Sequence, residues 1–282
     1  GDQSVIYGMS NKVNSSGVII ADTAATGGEL TQRGAATYGT DKAIFAFGTS
    51  SSSQVNTINL VNNVGVVAAN STGTGSARLS LAATSYGSSG QAIFAYGIQS
   101  GTSVNKSNKV SNTGGVSSDT SGVGTARHEL GASPFGGDKG IFAFGYSNTV
   151  GSNQNVSNIV SNTGVISSDQ SGVGTARGGL AAAQFGDRCI FGYGAGGGPS
   201  NLVSNTGVVA SDVSIVGTGR IGVAGAPYGG TKGLFAFGAN GTTYYAMSNL
   251  VSTSGVIASD TSAVSGVTIR AQVNGAGYSI SA

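Results

Sequence analysis

The chain of 282 residues carries 13 lysines and arginines against 11 aspartates and glutamates, a formal net charge of +2, and charged residues make up only 9% of it, against a usual share of about 25%. So low a charge density excludes a phosphate-binding stripe and with it a nucleic-acid partner. Gly takes 50 positions and Pro 3, which favours tight turns over helices, while 39% apolar residues set in short regular runs are enough to bury a core.

In chain order, the N-terminal segment offers three short runs, at 4–8, 11–15 and 18–21. From Arg33 onward a longer pattern begins and recurs, each time opening on an arginine: Arg33, Arg78, Arg127, Arg177, Arg220 and Arg270, spaced by 45, 49, 50, 43 and 50 residues. A period of roughly 40 to 50 residues is that of propeller blades. Each unit holds four apolar runs separated by turn residues, as a four-stranded meander requires. In the unit opened by Arg177 they are strand a (177–183), b (189–193), c (201–204) and d (208–211). Strand a is rich in Gly, Ala and Ser, which suits strands converging on a central axis. Strand b carries the bulk, as Ile-Phe-Ala-Phe at 44–47 and 141–144, Ile-Phe-Ala-Tyr at 93–96, Cys-Ile-Phe-Gly-Tyr at 189–193 and Leu-Phe-Ala-Phe at 234–237. Those aromatics are expected to fill the space between neighbouring units. The a-to-b connections, such as Gly-Gly-Asp-Lys at 136–139, and the Asn-Thr-Gly c-to-d turns at 112–114, 162–164 and 205–207 have hairpin-turn chemistry. After Arg270 the chain supplies one a-type strand and ends at Ala282, and the runs at 4–8, 11–15 and 18–21 match b, c and d.

The expected fold is therefore a single all-β domain, a six-bladed β-propeller over 1–282. Its four-stranded blades fall at about 33–77, 78–126, 127–176, 177–219, 220–269 and, sharing the termini, 270–282 plus 1–32. Such closure removes the free sheet edges that an open stack would leave.

The order Arg-x-x-x-small-small, then Ile-Phe-x-Phe-Gly, then a polar loop and Asn-x-Val resembles kelch repeats, as in galactose-oxidase-like propellers. One glycine recurs after strand b (Gly48, Gly97, Gly145, Gly194, Gly238), where kelch repeats show two, and Trp is absent. The wording Val-Ser-Asn-Thr-Gly-Val-Ile-Ser-Ser-Asp at 160–169, followed by Gly-Val-Gly-Thr-Ala-Arg at 172–177, resembles kelch-like repeats of bacteriophage virion and tail proteins. That resemblance implies a particle-borne propeller, with other virion proteins and a host surface glycan or protein as partners.

The six arginines are expected to form an axial ring, either as an anion site or, preferred here, held structurally by carboxylates or carbonyls at the seams. Asp119, Asp169 and Asp212 each lie eight residues before an arginine, Asn70 takes the same place in its unit, and Asp22 and Asp260 lie farther off. His128 and Glu129 depart from the repeat near the expected channel mouth, but one His in the chain assembles neither a metal set nor a triad. No catalytic residue, metal or cofactor is expected. Galactose oxidase chemistry needs a Tyr, His and Cys constellation that this chain does not supply. Cys189, the sole cysteine, admits no intrachain disulfide and reads as a small buried apolar residue. No run approaches the roughly 18 apolar residues of a membrane helix, so no membrane insertion is expected. The variable b-to-c loops are where specificity is expected, and Tyr146, Tyr244, Tyr245 and His128 are the candidate ligand contacts. The leading expectation is a non-enzymatic structural or host-recognition module of a virion. The alternative is a cellular or secreted, extracellular carbohydrate-binding lectin.

Overall fold

The alternation of small residues, aromatics and turn signals does produce β-structure throughout. A computed structural model describes residues 8–24, 26–51 and 53–278. It is all-β, built of small antiparallel sheets, and among the described residues the sole helical element is a 3-10 turn at Ala195–Gly197. Each repeat contributes a meander whose middle strand carries the Ile-Phe run. The strands are Gly34–Tyr38, Lys42–Ala46 and Thr57–Val61 in the first repeat, and Ala82–Tyr86, Gln91–Ala95 and Ser107–Val110 in the second. The third has Gly131–Phe135, Lys139–Ala143 and Ser157–Val160, the fourth Ala181–Phe185, Arg188–Gly192 and Asn201–Val203, and the fifth Ala224–Tyr228, Lys232–Ala236 and Ser248–Val251.

The fourth strand is where sequence and structure differ. Except in the first repeat, where Ser71–Thr72 pairs with Thr57 and Ile58 in a four-stranded sheet, it makes isolated bridges instead of a continuous ladder, and the register slips between them. In the third repeat Val160 faces Ile166 while Ser157 faces Gln170, so three steps on the third strand match four on the next. The same slip separates Val110↔Val116 from Ser107↔Thr120, Val203↔Val209 from Ser200↔Val213, and Val251↔Ile257 from Ser248↔Thr261. It also separates Val13↔Ile19 from Ser10↔Thr23 near the N-terminus. A bulge of this kind re-aims a side chain at the cost of ladder continuity. The re-aimed residue is the aspartate: Asn158 Nδ2 donates to Asp169 Oδ1 at 2.9 Å, and Asn108, Asn201 and Asn249 do the same to Asp119, Asp212 and Asp260.

Neighbouring repeats pack through aromatic rings. Edge-on pairs join Phe47 to Phe94, Tyr96 to Phe142, Phe144 to Phe191 and Tyr193 to Phe235, with centroids 5.2 to 5.5 Å apart, each contributing about 0.5–1.5 kcal/mol beyond area burial. A second lock sits at the end of each first strand. Tyr38, Tyr86, Phe135 and Phe185 lie against Gly114, Gly164, Gly207 and Gly255, the glycine of the c-to-d turn in the following repeat. The series continues across the termini, with Tyr228 against Gly17 and Tyr278 against Gly65. Glycine is required there twice over, since Gly164 has φ 74° and a Cβ on it would stand 2.5 Å from Tyr86 Cζ. Residues 35–37, 83–85, 132–134, 225–227 and 275–277, with Ala182 and Gln184, border a narrow cavity of ≈ 40 Å³. No described helix is long and apolar enough to cross a membrane.

Candidate ligand-binding face

Arg78, Arg127, Arg177 and Arg220 come four residues before the first strands, not at their start, which changes what they do, whereas Arg33 directly precedes Gly34–Tyr38. Strand a of the fourth repeat begins at Ala181, four residues after Arg177. Arg78, Arg127, Arg177 and Arg220 are at most 1% exposed and sit between repeats, away from the narrow cavity. Arg127 is typical: Nε donates to Phe144 O at 2.8 Å, Nη1 to Thr125 O at 3.0 Å and Nη2 to Asn158 Oδ1 at 2.6 Å, while the guanidinium lies 4.2 Å from the Tyr96 ring centroid. Arg78, Arg177, Arg220 and Arg270 stack in the same way on Phe47, Phe144, Tyr193 and Phe237. Each such aromatic has a left-handed backbone, φ 61° to 67°, at a cost of about 1–2 kcal/mol. The turn aims its carbonyl at one arginine and its ring at the next. Phe144 O accepts from Arg127 while its ring lies under Arg177.

The acid partners also differ from the expected ones. Asp169, eight residues before Arg177, pairs with Arg127 at 4.0 Å. Asp119 likewise pairs with Arg78 at 3.9 Å, Asp260 with Arg220 at 3.6 Å and Asp22 with Arg270 at 3.1 Å. The bulge is the reason, because it turns each aspartate back onto its own sheet. There it accepts from the threonine or serine two residues before that arginine, as Asp169 Oδ2 does from Thr125 N at 2.9 Å and Oγ1 at 2.6 Å. Donors hold these carboxylates below the ordinary range against the opposing effect of burial, Asp22 at about 2. Burial lowers Arg78 and Arg177 to about 10, still protonated at neutral pH.

The d-to-a segments and b-to-c loops share one side of the protein. Thr31, Leu79, His128 and Ile221 bridge Thr49, Ile98, Tyr146 and Ala239, the first loop residues of their own repeats. In repeats two, three and five the loop rises as a two-residue hairpin, for instance Tyr146–Ser147 against Ser152–Asn153. The fourth repeat has only the Ala195–Gly197 turn.

The next residue in each segment has positive φ: Gln32, Ser80, Glu129, Gly179, Gly222 and Gln272. A chain of backbone hydrogen bonds joins them, from Ser80 N to Gln32 O, Glu129 N to Ser80 O, Gly179 N to Glu129 O, Gly222 N to Gly179 O and Gln272 N to Gly222 O, each 2.8 to 3.0 Å. All six border a cavity of ≈ 1160 Å³ that also reaches Ile221, Tyr244, Arg33 and Arg270.

His128 is buried at 8% exposure, so it is no contact for an external ligand. Its Nδ1 is 3.0 Å from Ser103 Oγ, which donates to Asn148 Oδ1 at 3.1 Å, and its ring lies edge-on to Tyr146 at 5.5 Å. It ties the loop of the second repeat to that of the third. Burial lowers its pKa below 6.5, so the unfolded chain binds the extra proton and stability falls as pH drops below about 6.5. His128→Gln is expected to flatten the melting temperature between pH 7 and pH 5, and an unchanged slope would refute this.

Tyr244 borders the large cavity, Tyr146 packs on His128, and Tyr245 is half-buried beside Arg220. Tyr244 and Glu129, which the sequence marked only as the neighbour of His128, thus border the same cavity. Among the described residues no three His, Cys, Asp or Glu side chains converge on a metal position. Cys189 is buried and its thiol is pushed up to about 12 by desolvation. No protein-family model matches the chain, and neither does any curated protein.

Proposed function

We propose that the chain is a six-bladed β-propeller whose last blade combines 270–282 with 1–32, and that it serves as a non-enzymatic recognition module on a virus particle, a phage tail or capsid appendage. The contacts of Tyr228 with Gly17, Tyr278 with Gly65 and Arg270 with Asp22 support closure, since they reproduce across the termini the locks and ion pairs between successive repeats. The observation that carries the recognition reading is the loop face itself. A repeated, rigid seam presents loops of differing length around a recess bordered by amide, hydroxyl, carboxylate and Tyr244 groups. The repeat wording at 160–177, with its resemblance to phage virion proteins, supports the particle assignment.

Mass spectrometry of purified virions tests the particle assignment, and a glycan array separates a lectin from a scaffold. Replacing Tyr244 and Tyr245 by Ser is expected to weaken host or glycan attachment at least tenfold with the melting temperature retained, because tyrosines offer low-entropy contact area. If attachment survives that change but is abolished by substitutions in the turns at 112–114 and 162–164, the opposite face binds.

A further inference from the structure

We infer that the mouth formed by Gln32, Ser80, Glu129 and Gln272 binds a neutral sugar, with the Glu129 carboxylate accepting hydrogen bonds from adjacent sugar hydroxyls. This rests on the recognition reading above and names its ligand class. The mouth is asymmetric. Four of its six positions carry polar side chains, and Gly179 and Gly222 leave the side toward the fourth and fifth repeats open. On that same side the fourth repeat lacks a loop hairpin. Glu129 leans into the gap over Gly178, where the other repeats carry Thr31, Leu79, His128, Ile221 and Ala271. A Cβ on Gly178 would lie 3.2 Å from Glu129 Oε2 and 3.5 Å from Asn153 Oδ1, so the carboxylate and the Asn153 amide converge there.

The seam aspartates are each gripped by a threonine or serine and an asparagine. The Glu129 side chain, by contrast, makes no hydrogen bond or ion pair among the described residues, and although the residue is exposed to solvent, partial desolvation by the surrounding walls raises its pKa. Open to solvent at the recess, this carboxylate is free to accept hydrogen bonds from a donor-bearing ligand. A cationic ligand is disfavoured because Arg33, which has no ion-pair partner among the described residues, borders the same cavity, and an anion is disfavoured by Glu129 itself. What remains is a neutral polyol, for which the amides of Gln32, Gln272 and Asn153 offer both donors and acceptors. Ile221 and Tyr244, farther along the wall, suit the apolar face of a sugar ring.

The test measures binding of methyl glucoside, methyl galactoside and methyl mannoside to the intact chain by saturation-transfer NMR and calorimetry, with butylammonium and inorganic phosphate as charged probes. At least one glycoside is expected to bind. Glu129→Gln is expected to weaken it tenfold or more at an unchanged melting temperature, and binding should fade as pH drops and the carboxylate protonates. Gly178→Leu, which displaces the carboxylate without touching it chemically, should weaken the same glycoside. Glu129-dependent binding of butylammonium or phosphate in place of a glycoside overturns the inference, as does glycoside binding indifferent to Glu129→Gln. If no glycoside binds while the chain still attaches to host cells, the sugar inference fails and the recognition reading stands. If neither occurs, both fail.

Discussion

Arg177→Ala is expected to destabilise the protein by about 3 kcal/mol, because it strands several buried partners at once. Removing the guanidinium leaves the carbonyls of Tyr193, Thr175 and Pro199 and the Asn201 Oδ1 without their donor, and leaves Asp212 without the nearest positive charge. It also opens a void over the Phe144 ring. In a chain of this size the loss corresponds to a fall in melting temperature on the order of 5–10 °C. Arg177→Lys should recover little of it, since an ammonium lacks the planar fork that reaches three carbonyls and an amide together. Urea and thermal melts decide the matter. Unchanged stability accompanied by lost phosphate binding would make the arginine a ligand site and refute its role in the seam.

Deleting Gly1 to Asn11 is expected to abolish the folded monomer. Asn11 Nδ2 donates to Asp22 Oδ1 at 2.9 Å and to Ile20 O at 2.8 Å, and Met9–Ser10 pairs with Thr23–Ala24. Without them Asp22, which holds Thr268 and Arg270, loses its support, and the contact between the two ends of the chain goes with it. Domains have only about 5–15 kcal/mol of net stability, so losing a seam that contains a partly buried ion pair and exposing two strand edges should leave an unfolded or self-associating product. Size-exclusion chromatography with light scattering and a thermal melt give the answer, and a monomer with the parent melting temperature would sink the closure proposal. The seam aspartates add a sign for acid. Their pKa values lie below those of the unfolded chain, so their contribution is present above about pH 4 and is lost as pH falls through the folded values, near 2 for Asp22.

The strands were legible in the sequence because their signal is local and repeated: Ile-Phe-Ala-Phe for the middle strand and Asn-Thr-Gly for the turn leave little choice. The partner of each aspartate was not, because separation along the chain says nothing about a bulge that turns Asp169 away from Arg177 and onto Arg127. Arg78, Arg127, Arg177, Arg220 and Arg270 were placed on the first strand because the left-handed residue two positions after each is visible in sequence only where it is glycine. Ser80, Glu129 and Gln272 hide that conformation. A signal that could have been found is the aromatic residue before the a-to-b turn, at 38, 86, 135, 185 and 228, whose ring requires a glycine in the following repeat. Within the candidate site, His128 drew notice as the only histidine, but chemical rarity does not report burial, and the neighbouring Glu129 is the exposed residue that borders the recess.

Most of the seams are assembled from the same parts, an arginine, an aspartate, a left-handed aromatic and a hydroxyl two residues ahead of the arginine. A gene duplication or deletion of one such unit would therefore leave no orphaned charge, because every copy brings both its own cation and its own anion. Electrostatics is indifferent to how many copies there are. The number is instead counted by the short backbone hydrogen bonds linking Gln32, Ser80, Glu129, Gly179, Gly222 and Gln272, whose 2.8 to 3.0 Å spans tolerate only a narrow range of angles between neighbours. Lineages built on this pattern should accordingly vary freely in loop wording while changing repeat number only together with the residues at those six positions.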